Sequence, residues 1–278
     1  MLFLSATLHL HISPASFDDL SITRPSVAQS EKPDGSRRVA PDDWRALGGN
    51  LELILLHKGE ILSQAGDLIR TVYFPTTAIV SLVQTMKDGN SVEIAAIGRD
   101  GTTGVPSVTG GQTMPATIQC QCPGFAYRMS ARIFRDELMR SVSLRRLMLL
   151  YMQVLLTQVA QTAACNRLHR LDEQVCRWLL IDIDRSGMVD LPVTQQLIAD
   201  MLGVRRGGVT QAVRRLFDAN LIEHCRGHIR VVDRAGIEAR SCECYDIVRR
   251  EFDRLLPRIG AMVEPPCPSV CSRETRHD

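Results

Sequence analysis

Residues 194–218 read TQQLIADMLGVRRGGVTQAVRRLFD, and this stretch decides what the chain can be. Thr194 follows Leu191-Pro192-Val193 and is placed to cap a helix, its hydroxyl accepting a backbone N–H of the first turn. The helix it opens, Gln195 to Leu202, offers Leu197, Ile198, Met201 and Leu202 for burial, with Ala199 small where a second helix crosses closely. Gly203 can take the positive φ of a tight inter-helix turn. A second helix is then expected from about Arg205 to Asp218. At about 100° per residue, Val209, Ala212, Val213 and Leu216 fall on one side, with Phe217 at its edge. Gly207, Thr210, Gln211, Arg214 and Arg215 fall opposite, with Arg206 on the flank. A face of Gln, Thr and Arg without an acid suits the major groove of DNA. Guanidinium groups pair bidentately with guanine or phosphate, and Gln pairs with adenine.

Immediately downstream, Leu221–Cys225, a turn at Arg226-Gly227 and His228–Val232 form a hairpin. It reads as a wing carrying Arg226, His228 and Arg230 toward a phosphate backbone. Between Gly203 and Arg234, seven arginines stand against three acids (Asp218, Glu223, Asp233). The whole chain carries a formal net charge of only +2, so any basic field is local. Of 33 basic residues only Lys32, Lys58 and Lys87 are lysines, and arginine has the better fork for guanine and phosphate. The candidates for DNA contact are therefore Arg205, Arg206, Thr210, Gln211, Arg214, Arg215, Arg226, His228 and Arg230. The plainer reading is a helical pair with a solvated basic face. Helix, glycine turn, acid-free helix and wing in succession outweigh it.

Upstream, Ala131 to Arg185 contains neither glycine nor proline, and its apolar period is helical. Leu144, Leu147 or Met148, Tyr151, Leu155, Gln158, Thr162 and Cys165 form a stripe on a helix from Ser143 to Cys165, about 34 Å long. Such a helix is a core helix or a dimer seam, and polar Gln158 and Thr162 favour the seam. Further upstream the period becomes two. Leu51–Leu56, Ile61–Ser63, Thr71–Phe74, Ile79–Thr85, Ser91–Ile97, Thr117–Cys122 and Phe125–Met129 read as strands between glycine turns, an antiparallel sandwich or barrel. Residues 13–42, rich in Ser, Pro, Asp and Arg, read as a flexible leader, and the tail from Pro257 reads as disordered. Met1 to Ile12 is apolar but lacks a basic n-region, so an alternative start or disordered leader fits better than a signal peptide.

The bulk numbers narrow the class. At 278 residues two ordinary domains fit, and 45% hydrophobic with 23% charged residues is a globular balance. Nine cysteines, partly inside apolar periodic segments such as Leu171 to Ile183, argue against a secreted disulfide framework. Reduced thiols in a cytoplasm are expected. No run approaches about 18 apolar residues, so no membrane span is expected. There is no P-loop, Rossmann fingerprint, HExxH or GxSxG, so an enzyme is not expected.

The whole order resembles the Crp/Fnr superfamily of bacterial regulators. In the strand-rich half the resemblance rests on Lys58-Gly59-Glu60-Ile61-Leu62, Gly66-Asp67, Val72-Tyr73-Phe74-Pro75, and Ile97-Gly98-Arg99-Asp100-Gly101 with Gly104. In the other half it rests on Ile198 through Arg206, then Val209-Thr210, Leu216 and Leu221-Ile222, the more specific set. It implies an α+β fold: an N-terminal antiparallel, jelly-roll-like β-roll, a long dimerisation helix and a C-terminal winged helix-turn-helix. The corresponding segments are a leader 1–44, a cyclic-nucleotide-binding-like sensor 45–136, a dimerisation helix and hinge 137–167, a DNA-binding domain 168–240, and a C-terminal helix and tail 241–278. It further implies a homodimer on double-stranded DNA with a pseudo-palindromic operator, RNA polymerase as partner if the protein activates, and a small-molecule or redox effector of unknown identity. The family's frequent base-reading Glu falls at Gly207, and Gly208 stands where a phosphate-contacting Ser or Thr is common. Two glycines in a first turn cost roughly 1 kcal/mol each in helix propensity against Ala, or let the backbone approach DNA. The nucleotide-binding residues are also missing: Gly101 to Met129 holds no acid and only one base, Arg128. A phosphate buried without opposing charge is costly, so cyclic AMP binding in the family's usual way is not expected.

Cys120-x-Cys122 on a strand would share one face, which permits metal binding without requiring it. Cys242 and Cys244 lie past the wing, with Glu243 between them and His224 and His228 nearby in sequence. Four ligands at a recognised zinc spacing are missing, so buried thiols are the expectation, with no metal or cofactor assigned. His169 and Cys176 read as helix-packing residues. Two alternatives stay open: a redox- or metal-sensing regulator using cysteines, and a signalling scaffold that has lost sequence-specific DNA binding.

Overall fold

The computed structural model describes residues 47–256, so the expected leader and tail lie outside the described residues. Seven strands appear where the period-two segments stand: β1 (Glu52–Leu56), β2 (Ile61–Ser63), β3 (Thr71–Pro75), β4 (Ile79–Thr85), β5 (Ser91–Ile97), β6 (Thr117–Cys122) and β7 (Gly124–Ser130). They form two antiparallel sheets, in orders β1-β7-β3 and β2-β6-β4-β5. Alternation places Val72 and Phe74 inward with Leu56, Val80, Ile97, Ile118 and Met129 as one apolar core. A short helix α1 (Val105–Val108) and helix α2 (Ala131–Arg140) close the roll, Phe134 meeting Phe74 edge-on at 5.8 Å.

The stretch without glycine or proline does not run as one helix. It breaks twice, and each break is made by capping. Ser141, in extended backbone, accepts from Leu144 N at 3.0 Å and opens α3 (Val142–Leu168). His169 and Arg170 are again extended, and Glu173 takes the Arg170 N–H at 2.7 Å to open α4 (Leu171–Ser186).

The stripe expected to form the dimer seam is not on the outside. Leu144, Leu147, Met148, Tyr151, Leu155, Gln158, Thr162 and Cys165 are all buried within the single chain. They pack against the roll and a later helix because a roll open on this side needs an apolar lid. The outward face carries Val142, Leu149 and Leu156 instead, 68%, 46% and 68% exposed and one heptad apart. By length and composition alone α3 is also long and apolar enough to cross a membrane. Here it serves as a core helix.

Beyond α4 come β8 (Asp190–Leu191), α5 (Gln195–Leu202), α6 (Arg206–Asp218), β9 (Ile222–Cys225), β10 (His228–Val231), α7 (Arg234–Arg240) and α8 (Glu243–Leu255). β8, β10 and β9 form a small antiparallel sheet behind the helices. α8 returns along α3, with Gln153 Nε2 donating to Glu251 Oε1 at 2.9 Å and Leu255 and Leu256 entering the roll's core.

A second core joins the two halves. Ile79, Val83, Ala96 and Cys122 of the roll pack with Val175, Leu179, Leu191, Ile198 and Val213. Lys58 Nζ donates to Pro192 O at 2.8 Å across the same junction.

Candidate nucleic-acid interface

α5 and α6 meet as the sequence demands. Thr194 Oγ1 accepts from Leu197 N at 3.1 Å, and Gly203 ends α5 at φ +65°. Val209, Ala212, Val213 and Leu216 of α6 are buried, and Arg206, Gly207, Thr210, Gln211, Arg214 and Arg215 are exposed. Thr210 Oγ1 donates to Gln195 Oε1 at 2.7 Å, which ties the two helices at their exposed edge.

The glycines differ in kind. A Cβ on Gly207 would meet nothing within 4 Å, whereas one on Gly208 would lie 2.7 Å from Leu171 Cδ2. Gly208 lies under Leu171 at the start of α4, which would have to shift for a side chain there. Gly207 faces open space.

The nine sequence candidates are divided by their partners. Arg205, Arg206 and Gln211 are exposed at the N-terminal half of α6, and Arg226 is exposed at the wing turn. Arg214 pairs with Asp218 at 2.8 Å, and Arg215 forks onto Asp172 of α4. His228 Nδ1 lies 3.3 Å from Asp190 Oδ1, and Arg230 is half-buried in β10. Arg234, counted in the local excess, pairs with Asp184 and Glu238. Among the described residues Arg205, Arg206, Arg226 and Arg230 make no ion pair, so the basic surplus concentrates at the start of α6 and on the wing. Sequence reasoning missed Asp172 and Gln195, which hold two of the candidates, because partners distant in sequence leave no local signal.

Between roll and α4 lies a buried polar layer that the sequence did not announce. Ser81 Oγ sits 2.5 Å from both Glu93 Oε2 and Gln121 Oε1, while the Gln121 amide donates to Asp182. A hydroxyl has one proton and here faces two oxygens, an arrangement that favours the protonated form of the Glu93 carboxyl. Burial raises the Glu93 carboxyl, and burial with the Glu93 charge raises Asp182 well above the usual carboxylate range. Arg177 and Arg185 act the other way. Arg185 is engaged by Asp100 at 2.8 Å and Gln158 at 3.0 Å.

The cysteines also separate. A register shift beside Cys120 and Cys122 breaks their common face: Cys120 packs in the roll's core and Cys122 in the joint core. Cys176 is buried in α4 as expected. His169 is not a packing residue of that kind, because its Nδ1 lies 3.6 Å from Cys244 Sγ. Cys165 Sγ lies 3.5 Å from Cys242 Sγ, and the ligand atoms of Cys165, His169, Cys242 and Cys244 all lie within 4.8 Å of one another. His224 and His228 belong to the wing instead. The missed signal was Cys165 and His169, four residues apart at the end of one helix.

Comparisons with known proteins agree with this architecture. Residues 53–141 match the cyclic nucleotide-binding domain model, and residues 173–240 match the Crp-like helix-turn-helix domain model. The chain belongs to the Crp/Fnr family of transcriptional regulators. No curated protein matches it at a significant level. Among solved structures it is similar to a transcriptional regulator of the Crp/Fnr family from Eubacterium rectale, at 17% identity and TM-score 0.57 over 73% of this chain and 94% of that one. FixK2 from Bradyrhizobium japonicum aligns at 15% identity and TM-score 0.60, over 69% and 98%. The c-di-GMP responsive global regulator CLP of Xanthomonas campestris aligns at 14% identity and TM-score 0.53, over 69% and 99%.

Proposed function

We propose that the protein is a cytoplasmic, sequence-specific DNA-binding regulator that works as a homodimer on a pseudo-palindromic operator. The observation that carries this reading is the exposed, acid-free start of α6, with Arg205, Arg206 and Gln211, followed by the exposed Arg226 of the wing turn. Arg206 and Gln211 are the base-reading pair, and Arg205, Thr210, Arg226 and Arg230 position the backbone. Arg214 and Arg215 reach DNA only by leaving Asp218 and Asp172. The heptad face Val142, Leu149 and Leu156 is the dimer seam, which would set two copies of α6 about one helical turn of DNA apart. RNA polymerase is the further partner if the output is activation.

The roll's effector is not a cyclic nucleotide held in the family's usual way. Arg128, the one base between Gly101 and Met129, is exposed on β7 with both guanidinium arms on Glu52 at 2.8 Å. Thr102 donates to Tyr73 O at 3.0 Å, and Thr103 accepts from Tyr73 N at 3.0 Å, so both hydroxyls secure the roll. Met114 and Ala116 are core residues.

The deciding experiment selects randomised duplexes with purified protein at moderate salt and no added ligand. A palindromic motif is expected, lost in the Arg206→Ala, Gln211→Ala double variant. Arg226→Ala is expected to weaken all sequences alike and lower the salt slope by about one. Sequence-blind binding by the wild type, unchanged by Gly207→Glu, would overturn the reading in favour of a scaffold.

A further inference from the structure

We propose that Cys165, His169, Cys242 and Cys244 form a tetrahedral site for one zinc-class divalent cation, which ties the end of α3 to the start of α8. The four donors come from two places that the fold brings together. Cys165 lies in the last turn of α3, and His169 is the residue that ends it. Cys242 is the residue before α8, and Cys244 lies in its first turn.

The spacing suits a single ion. With zinc–sulfur bonds of about 2.3 Å and zinc–nitrogen bonds of about 2.0 Å, tetrahedral geometry puts donors roughly 3.5–3.8 Å apart. Cys165 Sγ and Cys242 Sγ are 3.5 Å apart, Cys244 Sγ and His169 Nδ1 are 3.6 Å apart, and no pair exceeds 4.8 Å. A two-iron cluster would need its ligands in two separated pairs, which this compact set does not offer. Three cysteines with one histidine is also a donor set of closed, structural zinc sites.

The surroundings are those of a ligand set and not of packed apolar thiols. Cys165, Cys242 and Cys244 form a small buried cluster of their own, apart from both apolar cores. His169 presents Nδ1 to the cysteines, while its Nε2 lies 3.2 Å from Glu243 Oε2. That carboxylate would fix the ring's tautomer and strengthen it as a donor. Gln174 Nε2 donates to the carbonyls of Cys165 at 3.2 Å and His169 at 2.9 Å, pinning the backbone of both. On ligation each thiol yields its proton to solvent, and three thiolates on a divalent ion leave one negative charge. The buried Arg177 guanidinium acts on Cys165 and Cys244 from nearby and offsets it.

The link between α3 and α4 passes through His169 and Arg170, so the ion would sit on the joint between the dimer-facing helix and the DNA-reading half. The site stands without the DNA-binding reading, and its test does not use DNA.

The experiment titrates cobalt(II) into the full chain, purified anaerobically and reduced, and follows the absorption spectrum. About one equivalent should give the visible bands of a tetrahedral ion with thiolate charge transfer, and zinc(II) should displace it. Cys242→Ser and Cys244→Ser should each abolish the thiolate bands or weaken affinity at least tenfold, while Cys176→Ser leaves the titration unchanged. Should the cysteine variants fail to fold, Glu243→Gln, an exposed change, still decides. It should lower cobalt affinity by about tenfold through the ring it orients. Absence of thiolate bands in the wild type would overturn the proposal. So would their persistence in the Cys242→Ser, Cys244→Ser pair, or a Cys165–Cys242 disulfide that forms in place of metal uptake.

Discussion

Arg215 grips Asp172 with both arms of its fork, Nε 2.8 Å from one carboxylate oxygen and Nη2 2.5 Å from the other. The pair joins the last turn of α6 to the first turn of α4, and it holds the Arg215 guanidinium against α4. If the contact is structural, Arg215→Ala and Asp172→Ala should weaken DNA binding by similar factors, with the double variant no worse than either alone. A double variant that multiplies the two losses, in an equilibrium titration, would make Arg215 a direct DNA contact.

The two glycines of α6 should respond in opposite directions. Gly207→Ala adds a side chain to open space and removes backbone freedom, so it should raise stability by up to about 1 kcal/mol in urea unfolding. Gly208→Ala gains the same propensity but must displace Leu171, 2.7 Å away, so it should gain less or lose stability. Equal gains for both would show that Leu171 yields freely.

Neighbouring leucines on α3 make a sharper contrast. Leu156 is 68% exposed and Leu155 only 8%. Leu156→Glu should give a folded monomer by sedimentation. Leu155→Glu should unfold or aggregate, because it places a charge in the roll's core. A dimer that survives Leu156→Glu, together with Leu149→Glu, would move the seam elsewhere.

The buried carboxyls predict how the fold responds to pH. Glu93 and Asp182 are raised above their unfolded values, so the folded chain binds more protons than the unfolded one. Stability from this layer is then complete below about pH 4 and falls as pH rises toward the folded-state values. Arg177, Arg185 and Asp100 are the other charges facing the layer, and the arginines limit the fall without reversing it. Between about pH 5 and 8, Glu93→Gln and Asp182→Asn should each flatten the decline in unfolding midpoint. A wild-type midpoint that rises through this range would contradict the assignment.

The strands, α5, α6 and the wing were legible in the sequence because their signals are local: alternation in Thr71–Phe74, the Thr194 cap, the Gly203 turn. The face of α6 followed from helical period alone. The outward face of α3 was not legible. Its inner stripe is the more apolar, and period reports that a helix has a buried side without saying what buries it. The helix expected from Ser143 to Cys165 runs from Val142 to Leu168, its ends set by caps at Ser141 and His169 and not by the glycine or proline that usually marks an end. Residues joined across the fold were invisible throughout. Asp172 under Arg215, Glu93 beside Asp182, and Cys165 with His169 against Cys242 and Cys244 meet only after the chain has folded.

The joint apolar core has a consequence for how such a molecule can change. Ile79, Val83, Ala96 and Cys122 belong to the roll by sequence, yet they rest against the helices that carry the reading face. Rotating the two halves apart would wet both surfaces at about 25 cal/mol per Å², so the resting arrangement is held by the same oil-like contact that folds the strands. Shaving a methyl group at Val83 would loosen that grip without touching an effector or a base. Sequence drift on this outer face of the roll strands would then reset how firmly the roll holds the helices, with the roll's own core left as it is.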